Sequence, residues 1–149
     1  MKLSRHLIAN LNLATLGLLD SGYLTYEHYQ PETVANCQVS WLGKWADCQQ
    51  VLTSQYAQIG PVPLAALGLA YYLTTWLFNF WLLNQTSPSR WALKLLLALA
   101  TSGLLASVYF VYLQIVVIQA ICLFCMASAL LSTLLFVNTL WAVKPHLHA

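Results

Sequence analysis

A chain of 149 residues that is 60% apolar and only 7% charged lies far below the charged fraction of about a quarter found in soluble domains, which excludes a soluble globular fold and leaves a membrane protein. The formal charge of +2 is too small to suggest a nucleic-acid partner. The length suffices for about four spans of roughly 20 residues and one sizeable loop, with no room for an additional soluble domain.

Met1 to Arg5 form a basic start, and the apolar run behind it is too long for a cleavable leader and lacks a small-residue cleavage site. Span one is expected over about 7–27. Asn10, Asn12 and Asp20 interrupt it and should face the bundle, although Asp20 can equally sit at the outer interface. Residues from about 29 to 60 form the only substantial extramembrane loop, holding Glu32, Asp47, Cys37, Cys48, Trp41 and Trp45. A loop of that length is functional or disordered, and its cysteines and aromatics argue against plain disorder. Pro61 and Pro63 open span two, over about 62–83, because proline suits a first helical turn. The polar break from Asn84 to Arg90, with Pro88 inside it, is short, so spans two and three should be antiparallel neighbours.

From Trp91 to Val143 there is no proline and one glycine, Gly103, yet the run is more than twice the length of a crossing and must fold back once. Gln114 and Gln119 are the strongly polar side chains near its middle. The bend is therefore expected between Tyr112 and Gln119, giving spans over about 91–113 and 120–142. The expected fold class is all-α: a polytopic membrane protein, a single four-transmembrane-helix bundle with one long extracytoplasmic loop.

Lys2, Arg5, Arg90, Lys94 and Lys144 fall on one side of that bundle and only Lys44 on the other. The positive-inside rule then places both termini in the cytoplasm and the cysteine loop outside. Trp76, Trp81, Trp91 and Trp141 read as interfacial belt residues, and Trp41 and Trp45 as interfacial anchors.

Four cysteines fall into a loop pair, Cys37 and Cys48, and a membrane pair, Cys122 and Cys125, all meeting at the outer face. The spacing of Cys122 and Cys125 puts both sulfurs on one helix face. Such a pair can close into a disulfide, ligate a metal or fill apolar space. A zinc site is disfavoured, because one pair is separated by ten residues and the other lies in lipid. A second pair on the same face favours redox chemistry. Cys122, at the first turn of span four, meets unpaired N–H groups that favour its thiolate, the form that attacks a disulfide. This depends on the bend: were Gln114 to Gln119 helix rather than turn, the pair would move away from the outer face.

Cys37, then Cys48 with Val51 and Ser54, then Gly60, Pro63 and Gly68 at the start of span two, Ser107 and Tyr109 in span three, and Cys122 with Cys125 opening span four together resemble the vitamin K epoxide reductases and their bacterial thiol-oxidising relatives. The resemblance covers nearly the whole chain. It implies a quinone-dependent disulfide generator of the bacterial inner membrane, with the cysteine loop in the periplasm. In that family the cysteine matching Cys37 exchanges with a thioredoxin-fold, DsbA-like protein, and the one matching Cys48 passes electrons to the one matching Cys122. The cysteine matching Cys125 lies against the quinone, and the serine matching Ser54 lies near the quinone carbonyl. No thioredoxin-like domain follows span four, so the partner is expected to be a separate protein. Vertebrate enzymes place a tyrosine four residues after the second membrane cysteine. Ala129 stands there, so a plain ubiquinone or menaquinone is the expected acceptor and vitamin K epoxide is not implied. The rival readings are a DsbB-type oxidase, whose cysteine pairs would come in the reverse order, and a non-catalytic four-span subunit or transporter with structural cysteines.

Overall fold

The computed structural model describes residues 2–30 and 43–147. Among them four helices are long: α1 (Lys2–Tyr29), α3 (Leu64–Leu83), α4 (Arg90–Tyr112) and α5 (Leu123–Leu147). A short helix α2 (Cys48–Leu52) and a two-residue antiparallel hairpin of β1 (Gln58–Ile59) and β2 (Val62–Pro63) lie between α1 and α3. The hairpin is an addition to the all-α expectation. Its two-residue turn places Gly60 at φ +61°, a left-handed conformation that glycine adopts without penalty.

Among the described residues three segments are long and apolar enough to cross a membrane: Leu64–Leu83, Arg90–Ile118 and Leu123–His146. Their outer faces carry large exposed apolar side chains, such as Leu105 at 65% and Leu130 at 60%, which suits contact with lipid rather than water. α1 is long enough to cross but more polar. Its buried stripe is Leu7, Asn10, Ala14, Gly17, Ser21 and Leu24, a four-three spacing that keeps one face inward. Asn10 is therefore buried and Asn12, two residues on, is exposed, which corrects the expectation that both face the bundle. Asp20 is half-buried on the flank of the same stripe.

α1 packs against α3 and α5, and α5 against α4. α3 and α4 are joined by a short link in which Ser89 caps α4, its hydroxyl accepting from the Ala92 N–H at 3.3 Å. Those two helices nevertheless meet only sparsely. At the link end Leu7, Leu82, Ala92 and Leu96 form one buried cluster. Beside them Asn10 donates to Asn79 Oδ1 at 3.2 Å and Thr139 Oγ1 at 3.0 Å, and accepts from Asn138 Nδ2 at 2.7 Å. That network ties α1, α3 and α5 together where apolar contact alone gives no register.

The reversal before α5 differs from expectation. Gln114 to Ile118 belong to a π-helical turn, Leu113–Ile118, continuing α4, and the chain turns only at Gln119 to Cys122. Gln119 takes a left-handed backbone, φ +57°, which ends the helix as a C-terminal cap residue does. The wide turn is held by Gln114, whose backbone oxygen accepts from the Ala120 N–H at 3.1 Å and whose side chain accepts from the Cys122 N–H at 2.9 Å. The cysteine pair still opens α5, because the break falls immediately before it.

Candidate functional site

Trp45, Ala46 and Asp47 run alongside Ile121 as a one-residue parallel bridge. Ile121 N–H donates to Trp45 O at 2.6 Å, and Asp47 N–H donates to Ile121 O at 3.2 Å. Because the two strands run the same way, Cys48 and Cys122 leave the bridge at the same end. Asp47 then caps α2, its Oδ1 accepting from the Gln50 N–H at 2.9 Å, so Cys48 becomes the first residue of that helix. Gln50 Nε2 donates to Ile118 O at 3.4 Å, and His28 Nδ1 lies 3.2 Å from Leu52 O. α2 is thus pinned to both neighbouring helices.

Cys122 occupies the cap position of α5. Its carbonyl accepts from the Met126 N–H at 3.0 Å and its Sγ from the Cys125 N–H at 3.4 Å. An N–H aimed at the sulfur in the first turn of a helix favours the charged form of a thiol. Cys48 and Cys122 are both buried, in one cluster with Leu24, Val51, Leu52 and Ala120. Cys48 is disulfide-bonded, whereas Cys122 and Cys125 are free thiols. Cys37 and Trp41 lie outside the described residues. Trp45 is half-exposed.

Below this cluster, where α3 and α4 diverge, lies a cavity of about 500 Å³. Small residues open it: Gly68 on α3, Gly103 and Ser107 on α4, and Ser128 and Ala129 on α5 all border it. At Gly103 a Cβ would overlap the Tyr71 side chain, and at Gly17 it would overlap the Tyr72 ring, so both tyrosines depend on glycines of the facing helices. Cys125 borders the cavity, while Cys122 is sealed in the cluster behind it. Ser54 sits on the rim, its hydroxyl donating to Val51 O at 2.8 Å, a local bond that keeps its lone pairs available. The Tyr72 hydroxyl meets Ser128 O at 2.8 Å and the Ser128 and Ser132 hydroxyls at 2.9 Å each. An apolar slot with a few fixed hydroxyls suits a mostly apolar ligand bearing hydrogen-bond acceptors.

Three contributors had weak signals in the sequence. Gln114 is visible there only as a polar residue in an apolar run, and its hold on Cys122 spans eight residues of irregular chain. Asp47 reads only as an acid of the loop, yet it is the helix cap; the Gln three residues on was the available cue. Tyr72 with Ser128 and Ser132 forms a polar seam whose spacing of four on α5 is legible, but whose partner on α3 is not.

The model of the vitamin K epoxide reductase family matches residues 8–140 of the chain, a stretch containing all four cysteines, Ser54 and every long helix in whole or large part.

Proposed function

The chain belongs to the vitamin K epoxide reductase family, whose members are membrane oxidoreductases, and on that premise we propose that it is a quinone-dependent thiol oxidoreductase of the bacterial inner membrane. α1 is its fourth span, both termini are cytoplasmic, and the segment carrying Cys37 and Cys48 is periplasmic. The reductant is a separate thioredoxin-fold, DsbA-like dithiol protein.

The observation that carries this reading is the Ala46–Ile121 bridge, which delivers Cys48 and Cys122 into one buried cluster while Cys125 borders the cavity. The partner's dithiol reduces a Cys37–Cys48 disulfide. Cys48, as thiolate, then attacks Cys122 of an oxidised Cys122–Cys125 pair, and Cys125 leaves as the thiolate. Thiol–disulfide exchange requires each attacking sulfur to reach its target, and membership of one buried cluster supports that approach for Cys48 and Cys122. The fit of the cavity to a quinone rests on its apolar walls, its volume and the hydroxyls of Ser54, Tyr71 and Tyr72 at its border. A bound ubiquinone or menaquinone supplies the two-electron acceptor that reoxidises the Cys122–Cys125 dithiol. Because each exchange among sulfurs is near balance, that last oxidation sets the direction.

Replacing Cys125 with Ala in the purified protein should abolish quinone reduction by a reduced thioredoxin-fold donor. Turnover at the wild-type rate in Cys125→Ala would sink the mechanism. In Cys125→Ser a Cys48–Cys122 bridge should accumulate, visible by mass mapping under non-reducing conditions. A non-catalytic subunit with structural cysteines would show no such bridge.

A further inference from the structure

Asp20 is a half-buried acid on α1 in a bundle whose other long helices carry none, and an ionisable residue in a membrane helix is kept for pairing or for function. It is not fully paired. Its Oδ2 is buried without a hydrogen-bond partner, while the carboxyl lies within hydrogen-bonding reach of Ser128. A carboxyl serving only as glue between α1 and α5 would have both oxygens engaged. The same carboxyl interacts electrostatically with Cys122, Cys125 and Tyr72. Beyond Ser128, hydroxyl meets hydroxyl at 2.9 Å from Ser128 to Tyr72 and again from Tyr72 to Ser132. Ser128, Tyr72 and Cys125 all border the cavity.

We infer that Asp20 is the proton-transfer group of the quinone step, relaying a proton between Cys125 and the cavity through the Ser128 and Tyr72 hydroxyls. The inference deepens the function proposed above and rests on it. The balance is closed: forming the Cys122–Cys125 bond releases two electrons and two protons, and a quinone becoming a quinol takes up both. One of those protons passes from the Cys125 thiol to the Asp20 carboxylate and on to the quinone oxygen, leaving Asp20 as it began. Hydroxyls both donate and accept, so each link can hand a proton on.

The test compares wild type, Asp20→Asn, Asp20→Glu, Ser128→Ala and the Asp20→Asn/Ser128→Ala double variant, with dithiothreitol as donor and a short-chain ubiquinone as acceptor. Asp20→Asn should slow quinone reduction on the order of 100-fold, the scale of a lost general acid–base group, and Asp20→Glu should restore most of it. The double variant should be no slower than Asp20→Asn, because both interrupt one route. In quinone-free protein, the rate at which dithiothreitol reduces the Cys122–Cys125 disulfide, followed by alkylation, should not be slowed in any variant. Wild-type quinone reduction by Asp20→Asn overturns the inference, as does an equal slowing of the quinone-free exchange, which would make Asp20 structural. Wild type that exchanges thiols but leaves the quinone oxidised overturns the underlying function as well.

Discussion

Cys122 and Cys125 are three residues apart and chemically unequal because the backbone around them differs. Cys122 precedes α5, so its own N–H lacks a helical partner and is satisfied by the side chain of Gln114 at 2.9 Å. Cys125 is already inside the helix and turns toward the cavity. Gln114 is therefore the residue whose loss should separate structure from redox chemistry. Gln114→Leu keeps the volume but leaves a buried N–H unpaired, which costs about 1–3 kcal/mol. The expected result is a lower unfolding midpoint in detergent and a slower exchange between Cys48 and Cys122, measured by trapping the mixed disulfide in a Cys125→Ser background. An unchanged midpoint would mean that the Cys122 amide finds another acceptor. Gly17 offers a second case. A methyl group there overlaps the Tyr72 ring, and overpacking of this kind costs about 1–3 kcal/mol, so Gly17→Ala should lower the unfolding midpoint and disturb the seam of Tyr72, Ser128 and Ser132.

At the scale of elements, the reversal from α4 to α5 decides whether Cys48 and Cys122 share one cluster. Gln119 carries it in a left-handed conformation that costs a side-chain-bearing residue about 1 kcal/mol or more. Gln119→Gly should leave the protein as stable or slightly more stable, whereas Gln119→Val should destabilise it by more than the Gly variant gains; paired melting curves in one detergent check this. A larger loss in Gln119→Gly than in Gln119→Val would contradict the assigned backbone. The same segment marks where sequence reading stops. Apolar runs and the Asn84 to Arg90 break make long helical segments legible in the sequence, because apolar runs and proline act locally. Gln114 to Ile118, by contrast, reads as a turn since two glutamines punctuate it, and folds as a wide helical turn because one of them bonds an amide across the break. The approach of Ala46 to Ile121 joins positions 75 residues apart, and backbone pairing at that range has no signature in composition or spacing. The cysteine pattern singles out the candidate redox residues; the cavity that Cys125 borders lies by two helices in sparse contact, which no residue announces.

At the scale of the molecule, chemistry and charge are sorted to opposite ends. The cysteine cluster lies where α1 ends and α5 begins, and the Asn10 network lies at the other end, among Asn79, Asn138 and Thr139. Lys2, Arg5, Arg90, Lys94 and Lys144 belong to the network end and Lys44 to the cysteine end. α1 is less apolar than the three candidate spans, yet its buried polar side chain at Asn10 is satisfied by α3 and α5, so it can cross as part of the bundle. Positive charge is retained on the cytoplasmic side during insertion, so the proposed orientation is the one with the cysteine end outward. Single cysteines in a background with all four native ones replaced by Ala test this. Gln55→Cys, in the exposed stretch after α2, should react with a membrane-impermeant maleimide on intact cells. Ser87→Cys, in the exposed link between α3 and α4, should react only after the cells are opened. The reverse pattern would turn the bundle over and put Cys48 in a reducing cytoplasm, where a disulfide generator has no stable product. Labelling of both sites from one side would remove α3 as a crossing, and with it the antiparallel arrangement that brings the start of α3 and the start of α5 to the same face.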